Sequence, residues 1–447
     1  MRYLLCLLVI FSWLPCVAEG IHFSQPSAET ADAFTLTSYV NLFLEKSPGL
    51  QKEKNDFAIA KNSYQESFIT NFLPSFSVSA DANKTYIRRN SMSSWDDYHN
   101  VTSSASASGH WNVFNGGKDY LSYRSAVIDY KMAQVSFDES LQNKILEAVT
   151  TYYNLLSSEK LLAVHQDDLK EVERQYKRDE KDYELGLKTR TDLLASQTNF
   201  RSSQMSLLDA QNAYNSALAH FNLAVDRPLQ APVKLDDALH DIDSQLPSLE
   251  EDIAFAFENR YDARLQKFAL EKADITLLLN RLNTLPSVYV NVFASTSRGL
   301  TSHELWGYNY GVSAGIRFDL GFLYLDKYRS RQSAKMSWKN TQLSFEEFSR
   351  NVRENVLEQR NALAVKLKSF EISLLRVQAA EQRFENTQIK YNNGVTGVTA
   401  TDLTQARQEM VSAQINHAQL TTEILTAQLR YRYALGMPLE PVLEEYK

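Results

Sequence analysis

Apolar and polar residues alternate in four stretches of the chain. From Ser75 to Asn83 the odd positions are Ser75, Ser77, Ser79, Asp81 and Asn83, and Phe76, Val78, Ala80 and Ala82 lie between them. An extended strand with that pattern turns one face to an apolar medium and the other to water. Val101 to Phe114 repeats the pattern, with Thr102, Ser104, Ser106, Ser108, His110 and Asn112 on one side and Val101, Ala105, Ala107, Trp111 and Val113 on the other. Val288, Val290, Val292 and Ala294 alternate with Ser287, Tyr289, Asn291 and Phe293 over 287–295. Over 308–320, Tyr308, Tyr310, Val312, Ala314, Ile316, Phe318 and Leu320 alternate with Asn309, Gly311, Ser313, Gly315, Arg317 and Asp319. Each run is near the length of about 9 to 11 residues that a tilted membrane strand needs. A soluble sheet with one wet face fits the alternation equally well. The Ser, Gly and Ala on the polar side favour a smooth lumen, and the polar stretches Lys84 to His99 and Ser297 to Trp306 read as long external loops.

Between these strands the period changes to that of a helix. Lys118 to Glu184 has no Pro or Gly and carries Leu141, Ile145, Val149, Tyr152, Leu156, Leu162, Leu169, Val172 and Tyr176 in a rhythm of threes and fours. Leu323 to Lys390 is its counterpart, with Leu343, Val352, Val356, Leu363, Leu367, Phe370, Leu374, Val377 and Phe384. Each could extend about 100 Å at about 1.5 Å per residue. Single helices of that length need lateral neighbours.

The order of elements is written twice. Leu73-Pro74-Ser75 recurs as Leu285-Pro286-Ser287, Tyr123-Arg124-Ser125 as Tyr328-Arg329-Ser330, Tyr183 and Gly186 as Tyr391 and Gly394, and Asp192-Leu193 as Asp402-Leu403. Pro228-Leu229 and Pro438-Leu439 each follow their Asp by 36 residues. The expected organisation is therefore a first unit over 19–228, a linker over 229–248 and a second unit over 249–447. Each unit holds a helix, two strands, a very long helix, a turn and a last helix.

Composition narrows the setting. Gly (14) and Pro (10) in 447 residues are about half the usual usage, which fits long uninterrupted elements rather than three compact domains. Arg2, the apolar run from Leu4 to Phe11, Pro15 and Cys16-Val17-Ala18 read as a secretory leader cut after Ala18. Its apolar core is too short for a membrane anchor, and the bulky Trp13, Leu14 and Pro15 disfavour lipidation at Cys16. Both cysteines lie in the leader, so the remaining chain has no disulfide or thiolate metal site. No later stretch is long and apolar enough for a membrane helix, so a membrane role falls to the strands. The net charge of −7 offers no footprint for nucleic acid. Four strands cannot close a barrel, because an open edge in lipid leaves backbone groups unpaired; two chains would supply eight strands and three would supply twelve.

The twofold order, the phrase from Tyr183 through Gly186, Thr189, Asp192 and Leu193, and its echo from Tyr391 through Gly394 to Asp402-Leu403 resemble the TolC family of outer-membrane efflux and secretion proteins. The resemblance implies a mainly helical homotrimer with twelve strands in an outer-membrane β-barrel and a hollow α-helical barrel reaching into the periplasm. It implies that the turns Leu185 to Asp192 and Asn393 to Asp402 form a narrow tip meeting a periplasmic adaptor protein and an inner-membrane transporter. Leu185, Gly186, Leu187, Thr189, Gly394, Val395, Thr396 and Gly397 are the contact candidates there. A ring of carboxylates, from Asp402 first and Asp192 second, would favour cations in the constriction. An Asp beside Thr at a helix start is also a common capping arrangement. Tyr391, Lys390 and Arg190 are candidates for bonds that hold the gate shut. The second turn departs from the pattern: two more residues separate Gly394 from Asp402 than Gly186 from Asp192, Gly397 is extra, and Gln405 stands where some members carry a second acid. A weaker or wider constriction is expected.

Catalytic patterns are absent from the sequence: the eight histidines form no metal spacing, and Gly116-Gly117-Lys118-Asp119 lacks the flanking residues of a phosphate loop. The reading is a passive exit duct, not an enzyme, with no cofactor, for an efflux pump or type I secretion system. The alternative is a periplasmic helical adaptor without a pore.

Overall fold

The computed structural model describes residues 32–91, 94–236, 247–299, 306–318, 325–393 and 397–439. The expected cut after Ala18 lies outside them, as do Gly394, Val395 and Thr396. The elements run β1 (Asp32–Phe34), α1 (Leu36–Lys46), α2 (Pro48–Phe72), β2 (Ser75–Ser91), β3 (Ser94–Phe114), α3 (Lys118–Glu184) and α4 (Arg190–Ala224). They continue with β4 (Val233–Leu235), α5 (Leu249–Asn259), α6 (Tyr261–Leu282), β5 (Ser287–Gly299), β6 (Gly307–Arg317), α7 (Leu325–Asn392) and α8 (Ala400–Leu435). The molecule is mainly helical, with one four-stranded sheet.

That sheet has the order β2-β3-β5-β6, antiparallel throughout. Its register puts Phe76, Val78, Val292, Tyr310, Val312 and Ile316 on one face and the serines on the other, where Ser77 pairs with Ser108 and Ser79 with Ser106, each at 2.8 Å between hydroxyls. The apolar face is bare: Val78 is 84% exposed and Tyr310 83%. The expected loop over Lys84 to His99 is instead mostly sheet, since β2 pairs with β3 without a break from Lys84↔Val101 to Ser91↔Ser94. The apolar alternation stops at Asn83, but main-chain groups carry an antiparallel ladder whatever the side chains. At the other hairpin β5 likewise runs on to Gly299, and residues 300–305 lie outside the described set.

The two long helices match expectation closely, α3 with 67 residues and α7 with 68. The helix before each strand pair is in fact two. Ser47 ends α1, its Oγ accepts from the Leu50 N–H of the next helix at 3.4 Å, and Pro48 opens α2 where a missing N–H costs nothing. Arg260 separates α5 from α6; its guanidinium grips Asp262 at 2.9 and 2.7 Å and donates to the Ala434 carbonyl at 2.8 Å, tying α6 to the end of α8. The expected linker carries β4, paired in parallel with β1.

Packing is concentrated where these elements meet. Tyr39 and Phe221 stack with ring centroids 4.0 Å apart beside Ile145, Val149 and Tyr152, and the Tyr152 hydroxyl donates to the carbonyls of Phe34 and Asp236. Such an aromatic pair adds about 0.5–1.5 kcal/mol beyond its burial. A second cluster joins Ala256, Val352, Val356, Leu363, Tyr431 and Leu435. Nearer the sheet, α2 lies along α3 through an aromatic ladder at seven-residue spacing, Phe57 and Tyr64 against Tyr123, Tyr130 and Phe137, with centroids 5.4–5.9 Å apart.

Candidate gate at the helical hairpin tips

The first hairpin ends by a backbone device. Gly186 sits at φ 75°, the left-handed region where a side chain is strained, and the N–H groups of Gly186 and Leu187 donate to the carbonyls of Tyr183 (2.9 Å) and Asp182 (2.8 Å). This closes α3 and leaves Leu185 and Leu187 more than 70% exposed at the apex. In the second turn the extra glycine, Gly397, takes the left-handed position at φ 96°. Arg190 is exposed and has no ion-pair partner among the described residues.

Both helices that leave the tip start in the same way. Thr189 accepts from the Asp192 N–H at 3.2 Å, and Asp192 Oδ2 accepts from the Thr189 N–H at 3.1 Å and its hydroxyl at 2.6 Å. Thr399 and Asp402 repeat this at 3.3, 2.8 and 2.7 Å. These are reciprocal capping boxes with Asp in the fourth place. The hydrogen bonds from Thr189 hold the Asp192 carboxyl below the usual carboxylate range, and those from Thr399 do the same for Asp402. Capping therefore does not consume the charge; it keeps both exposed carboxylates ionised. Gln405 lies one turn further on, exposed, and donates to Glu409 at 3.2 Å.

Tyr391, at the end of α7, meets a residue that the sequence reading did not single out. Lys188 of the first turn places its ammonium on the Tyr391 hydroxyl, 5.0 Å from the ring centroid, and also pairs with the nearly buried Asp179. Burial pulls the Lys188 ammonium down, but bonds to Asp179 and Tyr391 outweigh it and the net shift is upward. Further from the tip the hairpins are pinned by Gln388 on Glu171 (2.8 Å), Asn199 on Thr404 (3.2 Å) and Arg407 on Asp168, which also accepts from Ser203 at 2.7 Å. A cavity of about 270 Å³ remains between the hairpins, walled by Gln175, Asp179, Asn199, Phe384 and Arg407. The signal for these partners was present in the sequence: Asp168 and Asp179 fall four residues before and seven after Val172, on the face the apolar rhythm assigns to the seam.

No group of His, Cys, Asp or Glu able to hold a metal occurs among the described residues. The arrangement is a mechanical one, two hairpins linked by a few polar contacts beside exposed acids at helix starts.

Comparison with known proteins agrees with that architecture. The alkaline protease secretion protein AprF of Pseudomonas aeruginosa is 22% identical over 334 residues, 72% of this chain and 67% of its own. The Campylobacter jejuni CmeC outer membrane channel superposes with a TM-score of 0.75 at 14% identity, covering 92% of this chain and 89% of that one. The open state of the Neisseria gonorrhoeae MtrE outer membrane channel gives 0.72 at 18% identity over 90% and 89%. The profile of a family described as outer membrane efflux protein matches residues 40–225 and 255–437, and the chain belongs to that family, the TolC-like channels of the outer membrane.

Proposed function

We propose that three copies of this chain assemble into a passive exit duct of a tripartite efflux pump or a type I secretion system. The observation that carries this is the sheet: four strands with free outer edges at β2 and β6, one bare apolar face, and an opposite face built mostly of small polar side chains. In lipid those edges must be paired, and the self-complementary solution is β6 of one copy against β2 of the next, giving twelve strands. The hairpins then stand side by side as an α-helical barrel of about 100 Å in the periplasm. The two halves, 19–228 and 249–447, act as two copies of one unit in each protomer.

At the tip, Asp402 and Asp192 supply the carboxylate ring that favours cations, Tyr391 with Lys188 links the hairpins, and Leu185, Leu187 and the turn up to Thr189 meet the adaptor, together with the second turn around Gly397. Transport energy comes from an inner-membrane transporter, and the pore-less adaptor alternative gains no support from the family match. Light scattering of the detergent-solubilised protein, corrected for detergent, tests the reading: three chain masses support it, and a detergent-independent monomer refutes it.

A further inference from the structure

Apart from Phe293 and the acid Asp81, the polar face of the sheet carries small neutral side chains along its four-stranded height until the end next to the helices. There His110 on β3, Tyr289 on β5 and Arg317 on β6 form a row across three strands. The His110 and Tyr289 rings lie 6.0 Å apart, and the Arg317 guanidinium is 5.1 Å from the Tyr289 ring centroid. His110 is fixed by two amides, with Asn291 Oδ1 at 2.5 Å from Nδ1 and Asn112 Oδ1 at 3.2 Å from Nε2. Tyr289 lies across its neighbour strand: a Cβ at Gly315 would come within 2.6 Å of the phenol oxygen, so only glycine lets the ring lie flat there. The flat ring is the platform for Arg317. That guanidinium has no carboxylate partner among the described residues. The acid on the same face, Asp81, pairs with Ser104, six positions along β2 from the Ser75 that faces His110, or about 20 Å at about 3.4 Å per residue.

We propose that Arg317, held on Tyr289 beside His110, is the charge-selective group of the strand domain. The inference rests on the three-chain duct, in which three copies make a cationic, aromatic collar at the inner mouth of the β-barrel. The collar binds oxyanions of passing cargo, carboxylate, sulfonate or phosphate, because a guanidinium offers a planar fork of donors and an aromatic platform limits the directions it can take. Its sign is opposite to that of the carboxylates at the tip, so the duct presents cargo first with an acidic and then with a basic station.

The test is block of single channels in planar bilayers by inorganic tripolyphosphate added on the strand side, from which it reaches the collar without passing the tip. Wild-type current should be blocked, the half-blocking concentration should rise about tenfold in Arg317→Gln, and Arg317→Lys should retain block within about threefold. Equal block in wild type and Arg317→Gln, or channels insensitive to tripolyphosphate throughout, overturns the collar and leaves the duct standing. Failure of the wild-type trimer to form any channel overturns the duct and the collar with it. Light scattering of each variant checks that assembly is retained, which is expected because Arg317 is exposed and touches only the Tyr289 ring among the described residues.

Discussion

Helices α3 and α7 are nearly equal in length and hold corresponding places, yet α3 buries 14 residues and α7 only four. The difference lies in what surrounds them. Helix α3 is flanked by α1, α2, α4, α6 and α8, whereas α7 packs mainly on α6 and α8, with a shorter contact to α5. Along α7 the side chains of Leu343, Val365, Ile372 and Leu375 remain at least half exposed. Helix α3 is thus covered largely within one chain, although α4 leaves Leu194, Met205 and Leu223 exposed, and α7 has an apolar side that another copy covers in the assembly proposed above.

Substitutions can break that contrast, and Phe221→Ala should do most. It empties the stacked core against which α3 is held and should cost about 3–5 kcal/mol, lowering the unfolding midpoint in chemical denaturation. Asp168→Ala comes next, since it leaves the Arg407 guanidinium partly buried without its carboxylate. A loss of about 3 kcal/mol is expected for a fully buried pair, and somewhat less here, read by faster proteolysis of the α3–α4 and α7–α8 hairpins. Thr399→Ala and Thr189→Ala should each cost about 1 kcal/mol through the lost cap, seen as increased amide exchange in the first turn of α8 or α4. Leu375→Asp should change single-chain stability by less than about 0.5 kcal/mol while abolishing the trimer by light scattering; a trimer that persists would refute the idea that α7 is completed by a neighbour.

The tip adds a pH dependence whose sign follows from Lys188. Its folded value is raised, so the stability it contributes is fully present below the ordinary lysine value of 10.5 and is lost as pH rises through the folded value above that. Channel opening should therefore be insensitive to pH from 7 to about 10 and increase only beyond it, and Lys188→Met should be as open at neutral pH as wild type is in alkali. The Asp192 and Asp402 carboxylates are held low, so the capping they provide persists above the usual carboxylate value of 3.8 and is lost as pH falls through their lower folded values.

Much of this was legible in the residues. The run without Pro or Gly from Lys118 marks the start and end of α3, and Asp192 and Asp402 could be placed at helix starts because Thr precedes each at capping distance. Strand ends were less legible: the ladder from Lys84 to Ser91 carries no alternation, being held by main-chain bonds that leave no mark in side-chain pattern. The Lys188–Tyr391 link joins residues 203 positions apart, and no local rhythm encodes which of several exposed cations meets which ring. Nor did the sequence order show that α1 and α2 are separate, although Ser47-Pro48 is a stop and start in a single phrase.

The sheet holds one more asymmetry. Strand β2 has 17 residues and β6 has 11, so a neighbour's edge would match only part of β2; by the register Gly307 at the top of β6 is level with Asp81, and the β2–β3 hairpin runs on ten residues to Ser91, about 34 Å along the strand. Three such turrets would crown the duct on its outer side. In the assembly proposed above they would be the first part of the molecule met by antibodies or by anything else that approaches the cell from outside, the kind of exposed position where sequence varies most readily between relatives.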